Sequence, residues 1–485
     1  AGAYVLSARN VTKTGNAALT LKGDHRYASL TIGQASGTSG TGGGACTVSN
    51  ALDISGSMTV FPSAGTFTQG DRSVLSGAGA LTIGCTANLY GTNTFTGTLT
   101  IGYSNNTKTV TVYSPRALGA TSGGTVIRGG TSSGYNRLTI GSGVTVADEM
   151  LTVTGGAGVR AGLWSAGGGG SAWDGDIRIM SDGWLQIGSP GGSTFTIGSL
   201  GRTTITNMGA SMLSFRDPGN ILLNSRLDMA NSDINRNDSG TVTLCSVSNR
   251  VRGISVSQGQ FVLGVSEPFS AAPTLSIGKG DNNTGNKATV DLAGYNLTIS
   301  RLSEQHYDAF NGTPNEGYQR ILCAAPSTLT VNGSLASSFI KAGSIMSGPL
   351  TLIKEGSGTL TLGQTNAFTG ACVMSNGVLA VTSTGRLGTG ATNIVIAGGM
   401  LSLSNNLALC EAANVTFAEG GSGVIALPGS VNIKVNTLWY GAKQKYGGTY
   451  GASGSGAQFV DDSRFSGTGV LTVTRGSGGT IMVLK

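Results

Sequence analysis

Gly77-Ala-Gly-Ala-Leu-Thr-Ile-Gly84, followed by Thr92-Asn-Thr-Phe-Thr-Gly97 and Arg116-Ala-Leu-Gly119, has a near-copy further along the chain. The copy runs Gly356-Ser-Gly-Thr-Leu-Thr-Leu-Gly363, Thr365-Asn-Ala-Phe-Thr-Gly370 and Arg386-Leu-Gly388. A strand-turn-strand unit that returns at a distance is the mark of a solenoid. One such unit cannot bury its apolar face alone and must stack on its neighbours.

Outward from these stretches, one short pattern recurs: an apolar residue, Thr, and another apolar residue. It appears at Leu19–Leu21, Leu81–Ile83, Leu99–Ile101, Val110–Val112, Leu138–Ile140, Leu151–Val153, Leu297–Ile299, Leu360–Leu362 and Leu471–Val473. On a pleated strand the apolar pair faces one side and Thr the other, so one face packs while the other stays wet. Gly, Asn and Ser end nearly every such segment, as turns require. Helical spacing of apolar residues is weak, with Ser303–Phe310 the best window. The chain is expected to be all-β. The predicted fold is a right-handed parallel β-helix, or β-solenoid, with rungs of roughly 20–25 residues and about 20 rungs in all. Two parts are expected: residues 1–437 as an irregular β-helix, and 438–485 as a distinct C-terminal β segment that caps the stack or mediates assembly.

Composition narrows the function class. Glycine supplies 81 of 485 residues, more than twice the usual share of about 7%. With only 10 prolines and no triplet period, collagen is excluded. Charged residues make up 11%, against about 25% in ordinary proteins, and Thr, Ser and Asn take their place on the wet faces. This composition is expected of a long-lived extracellular or cell-surface protein, secreted, with Ala1–Leu6 as the end left after removal of a signal peptide. The net charge of +7 is diffuse, without basic runs interleaved with aromatics, so no nucleic-acid partner is expected. No apolar run is long enough for a membrane span. Cys46, Cys85, Cys245, Cys323, Cys372 and Cys410 lack metal-binding or redox spacing; they could form disulfides, or fill rungs as buried thiols.

The repeated segments resemble the bacterial autotransporter-associated β-strand repeat, whose shape is G-x-G-x-L-T-L, then N-x-[FY]-[ST]-G, then a leucine-glycine corner. Here these elements fall at 77–119 and 356–388, with partial matches at Gly15–Gly33 and Gly467–Val473. The resemblance implies a β-helical surface or secreted protein. The chain departs from full autotransporters in showing no C-terminal membrane barrel, whose strands would be longer and girdled by aromatics. In the motif, Asn93 and Asn366 are expected to hydrogen-bond their own backbone at a turn. Phe95 and Phe368 should fill the rung interior.

Chemistry is sparse. His25 and His306 are the two histidines, and Glu304-Gln-His-Tyr-Asp308 is the densest polar cluster. Asp461-Asp462 reads as a turn, because adjacent strand residues face opposite ways. Asp233–Gly240 and Asp281–Asn286 space oxygen ligands before a glycine as calcium loops do, without the distal bidentate Glu. No cofactor, no metal and no enzymatic activity are expected.

The ends carry the functional expectation. Ala3, Tyr4, Val5 and Leu6 open the chain apolar, and Ile481, Met482, Val483 and Leu484 close it after a glycine hinge. Open rungs recruit other chains, so head-to-tail assembly by β-strand addition into a filament or matrix is the leading reading, with copies of the chain as partners. The alternative is a monomeric adhesin that binds glycans or surfaces through Trp164, Trp173, Trp184, Trp439 and Tyr440.

Overall fold

The apolar–Thr–apolar triplets pair in register from turn to turn. Leu81-Thr-Ile83 lies beside Leu99-Thr-Ile101, which lies beside Thr125-Val-Ile127 and then Leu151-Thr-Val153. The outer residues of each triplet point inward as continuous ladders: Leu81, Leu99 and Leu151 are at most 3% exposed. Because the side-chain period is two, a one-residue slip would turn every such ladder out to solvent, which fixes the register.

The computed structural model of the protein describes residues 6–13, 15, 17–33, 44–61, 65–103, 107–130, 134–155, 159–180, 183–278, 287–304, 318–341 and 343–477. These hold 51 strands and no helix. The window Ser303–Phe310 contributes Ser303 and Glu304 to the strand Arg301–Glu304, and its remainder lies outside the described residues. Two compact units divide the chain, 1–252 and 253–485. Each is a stack of parallel strands forming β-solenoid, with about 16 turns counted over both. The turns are fewer than the sequence predicts because some are long. Leu6 pairs with His25, whereas Leu297 pairs with Leu329, so the return length varies widely while the ladders stay aligned.

In the second unit the same logic holds. Leu297-Thr-Ile299 stacks on Leu329-Thr-Val331, then on Leu352-Ile-Lys354 and Cys372-Val-Met374. Lys354 takes an inward position, 1% exposed, and its ammonium donates to the carbonyls of Glu355, Gly356 (2.8 Å) and Asn376 (3.3 Å). Burial holds its pKa below the ordinary lysine value, opposed by the Glu355 charge.

The repeated motif has a structural cause. Phe95 and Phe368 are buried, and each ring lies against the glycine of the following corner. A Cβ on Gly119 would come within 2.7 Å of the Phe95 ring, and one on Gly388 within 3.0 Å of Phe368. The asparagines do more than close a local turn. Asn93 accepts from the Leu75 N–H (2.8 Å) on the turn before and donates to the Ala117 carbonyl (2.6 Å) on the turn after. Asn366 likewise accepts from Met346 (3.0 Å) and donates to Arg386 (3.0 Å), with Gln364 nearby in sequence as a further acceptor (3.2 Å). Asn249, a third such residue, accepts from Leu227 (2.8 Å). The expected bond to its own backbone is thus replaced in Asn93 by bridges between successive turns, because the side chain points into the stack, 2% exposed.

All six cysteines are free thiols. Cys46, Cys85, Cys323 and Cys372 are buried in the ladders, and burial pushes Cys46 up to about 12 and Cys85 up to about 11. They serve as small apolar fillers.

Beyond Tyr440 the pairing changes. Thr437–Tyr440 and Lys443–Gln444 form an antiparallel pair. Gly448–Gly451 runs antiparallel to Val470–Val473, which itself pairs in parallel with Asn432–Val435.

Candidate functional site

The first strands present a free edge. Leu6–Lys13 pairs with His25–Ile32, and Leu19–Leu21 pairs with Cys46–Val48. Neither has a partner on its other edge among the described residues. The Lys13 carbonyl accepts from the Gly33 N–H (2.9 Å), facing the second turn. Alternation along the strand therefore aims the N–H and C=O of Ala8, Asn10 and Thr12 at the open edge. Val11 and Leu19 remain half-exposed while Leu30, beside Val11, is 1% exposed. The predicted assembly residues fall mostly elsewhere: Ala3, Tyr4, Val5, Ile481, Met482, Val483 and Leu484 lie outside the described residues, and Leu6 begins the first strand.

At the C-terminal end of the described residues the strands with a single partner include the two-residue Lys443–Gln444, Phe459–Val460 and Phe465–Ser466. Val470–Val473 is bonded on both sides, and Phe465 joins an aromatic cluster with Phe417, at 5.7 Å, and Tyr450, at 6.4 Å. Tyr440 belongs to this cluster. Its hydroxyl donates to Asp461 (2.8 Å), and Lys445 and Arg464 lie 3.9 and 5.9 Å from its ring centre. Burial foremost, and then the Asp461 bond, raise its pKa. Trp439 donates its indole N–H to Thr437 (2.9 Å). Both predicted surface aromatics are half-buried in this local packing. Asp461 and Asp462 form a turn, accepting from Ser463 (3.0 Å) and Ser453 (2.6 Å) respectively.

The other three tryptophans separate by facing. Trp173 points inward and is fully buried, paired with Val146 and Ile197. Trp164 and Trp184 sit on the outer side of three consecutive turns, Trp184 half-buried and Trp164 covered, at 3% exposed, contrary to its expected surface role. Register places Tyr135 beside Arg160 beside Trp184, Arg137 beside Gly162 beside Gln186, and Thr139 beside Trp164 beside Gly188. Trp164 lies flat over the two glycines. A Cβ at Gly162 would stand 2.5 Å from its ring, and one at Gly188 2.2 Å from its indole nitrogen. Tyr135 stacks on it at 4.9 Å with a 9° interplanar angle. Arg137 packs 5.3 and 5.0 Å from the Tyr135 and Trp164 ring centres, and Arg160 packs 4.6 Å from Trp184. Trp164 donates its N–H to Asp217, a residue held at a φ of 63°.

This layer leaves donors unused. Arg137 Nε, Arg160 Nε, Trp184 Nε1 and Gln186 Nε2 are buried without hydrogen-bond partners among the described residues, as is Thr139 Oγ1. Gln186 is 2% exposed beneath the rings. Neither Arg137 nor Arg160 forms an ion pair among the described residues. Tyr135, Arg137 and Arg160 escape sequence reading because the turns that align them are 24 or more residues apart in the chain. Tyr90 and Tyr113 were equally hidden. They stack at 4.3 Å and 6° while 39% and 42% exposed.

Titratable groups are few. Glu149 is 2% exposed between a cleft of about 430 Å³ and one of about 180 Å³. Thr125 donates to its Oε1 (2.8 Å), and burial pushes its carboxyl up to about 7 despite that bond. The neighbouring carboxylates are tied to the scaffold: Asp148 pairs with Arg202 at 2.9 Å, and Asp176 accepts from the Thr204 N–H (2.8 Å). His25 contacts Tyr27 and the Lys22 carbonyl, whereas His306 lies outside the described residues. Of the two calcium-like stretches, 281–286 is also outside. In the other, Asp233 belongs to the strand Arg226–Arg236 and its carboxylate takes both arms of Arg252, at 2.9 and 2.7 Å. Arg236 points inward, with its guanidinium on the carbonyls of Gly240 (2.9 Å) and Asp217 (2.7 Å). Among the described residues no cluster of three metal-ligating side chains occurs.

No protein-family model, curated protein or solved structure matches this chain.

Proposed function

We propose that the chain is a structural subunit of an extracellular or cell-surface assembly, joined head to tail by β-strand addition, without catalytic activity of its own. The observation that carries this reading is the unlikeness of the two ends. Among the described residues the first turn offers an eight-residue strand bonded on one edge only. The last described turns offer only strands of two to four residues at such edges, beside an antiparallel pair and an aromatic cluster. An unpaired edge is a template for another chain's strand. A contact between two different surfaces repeats without closing, and so makes a filament. The apolar Ile481–Leu484 segment is the candidate donor strand. Its likeness to the autotransporter-associated repeat, in 77–119 and 356–388, supports surface display.

Removing Thr480–Lys485 should leave a folded monomer with unchanged circular dichroism and no polymer in negative-stain images. Polymers that survive the deletion would sink the proposal.

A second reading, binding of glycans at a surface, is favoured by the outward layer of Tyr135, Arg137, Arg160, Trp164 and Trp184. Stacked rings with unused donors are what a sugar face requires.

A further inference from the structure

We infer that the layer formed by Tyr135, Arg137, Arg160, Trp184 and Gln186 binds an anionic glycan, one whose sugars carry carboxylate or sulfate. The inference rests on the surface-binding reading and adds the charge of the ligand to it.

The argument begins with what the layer lacks. It presents guanidinium, indole and carboxamide N–H groups, and four of these nitrogens are buried with no acceptor among the described residues. A buried donor without a partner is costly, so such groups mark either a defect or a place reserved for an acceptor. Four within neighbouring register positions on consecutive turns are too concentrated for scattered defects. The unmet groups are overwhelmingly donors, so the missing partner is rich in acceptors. Among the described residues neither arginine forms an ion pair with a carboxylate, which makes a negative ligand the complementary one.

The rings select a sugar over a free anion. Trp184 and Tyr135 are half-buried at the layer's surface, each with a guanidinium beside it. A pyranose can lay its C–H face on such a ring while its acidic group reaches the neighbouring arginine. The spacing is built in by the fold, because paired residues on adjacent turns sit about 4.8 Å apart. Trp164 does not contact the ligand in this arrangement. Clamped over Gly162 and Gly188, it is the floor that holds Tyr135 and Arg137 upright.

The test uses the full chain in affinity electrophoresis against three polymers: polygalacturonate (carboxylate), heparin (sulfate) and dextran (neutral). Retardation by polygalacturonate or heparin, weakened roughly tenfold in Arg160→Gln and in Arg137→Gln and in Trp184→Leu, is the expected result. Which of the two acidic polymers binds distinguishes carboxylate from sulfate. Arg116→Gln, in the separate cleft, should bind like the parent and controls for net charge. Equal loss in Arg116→Gln would overturn the site. Retardation by dextran alone, lost in Trp184→Leu, would overturn the anionic inference while leaving surface binding intact. No retardation by any of the three would overturn both. Unchanged thermal midpoints in the variants separate lost binding from lost fold.

Discussion

Asn93 shows how much one side chain can hold in this architecture. Its amide accepts from one turn and donates to the next, and it also meets Gln69 at 3.1 Å. Asn93→Leu keeps the volume but leaves a backbone N–H and a carbonyl buried and bare. We expect a loss of about 2–4 kcal/mol, read as a lower denaturant midpoint. An unchanged midpoint would show that water replaces the amide. Glu149 is the opposite case, a group whose ionised form the fold disfavours. Its carboxyl is pushed up to about 7 from an ordinary value of 4.5, by burial before anything else. Raised in the folded state, the group stabilises most below its unfolded pKa, and that contribution drains away as pH rises through about 7. Glu149→Gln should therefore match the parent's thermal midpoint near pH 4 and exceed it near pH 8, by on the order of 3 kcal/mol. A gap that does not change with pH would refute the assignment.

At the scale of the strand, the open edge of Leu6–Lys13 makes a sharp prediction. Thr12 is exposed and its N–H faces away from the neighbouring strand. Proline removes a donor and is tolerated in strands only at such edges. Thr12→Pro should keep the fold, seen as an unaltered thermal midpoint, while reducing polymer formation in light scattering. Val11→Pro, whose N–H belongs to the bonded side, should lower the midpoint as well. Strands were the most legible level of the sequence. Triplets such as Leu81–Ile83 and Leu99–Ile101 predicted their own facing, because a period of two leaves one packed face; that these two lie side by side emerges only in the structure. Trp173 and Trp184 were not separable in that way. Both are tryptophans in short strands among glycines, yet one faces in and one faces out, and only the neighbouring turns decide which.

Over the whole chain, the ladders within each unit keep their alignment while the lengths between paired residues vary, from 18 residues between Leu81 and Leu99 to 40 between Ile425 and Phe465. The sequence reading expected an irregular β-helix but set its turns at roughly 20–25 residues, and so overcounted them. It found the repeated Asn-x-Phe-Thr-Gly motif twice, since only there do the Asn bridge and the Phe–Gly contact recur together. It missed Lys354 and Arg236, inward charges that a residue-by-residue hydropathy reading assigns to the surface. What makes each acceptable is a set of turn carbonyls completed by one from a neighbouring turn, Asn376 for Lys354 and Asp217 for Arg236, which no local window contains.

One property of the stacked strands bears on force. Each turn is hydrogen-bonded only to the turn before and the turn after, as Leu99–Ile101 is to its two neighbours. Tension along the stack therefore loads one ladder at a time, and a turn that lets go leaves the next intact. A released turn of 19 residues, as between Leu6 and His25, would extend to about 65 Å, and one of 32, as between Leu297 and Leu329, to about 110 Å. A protein built this way yields in steps under load, dissipating a pull as a series of small ruptures, and every turn still stacked keeps its own template for re-forming the one that was lost.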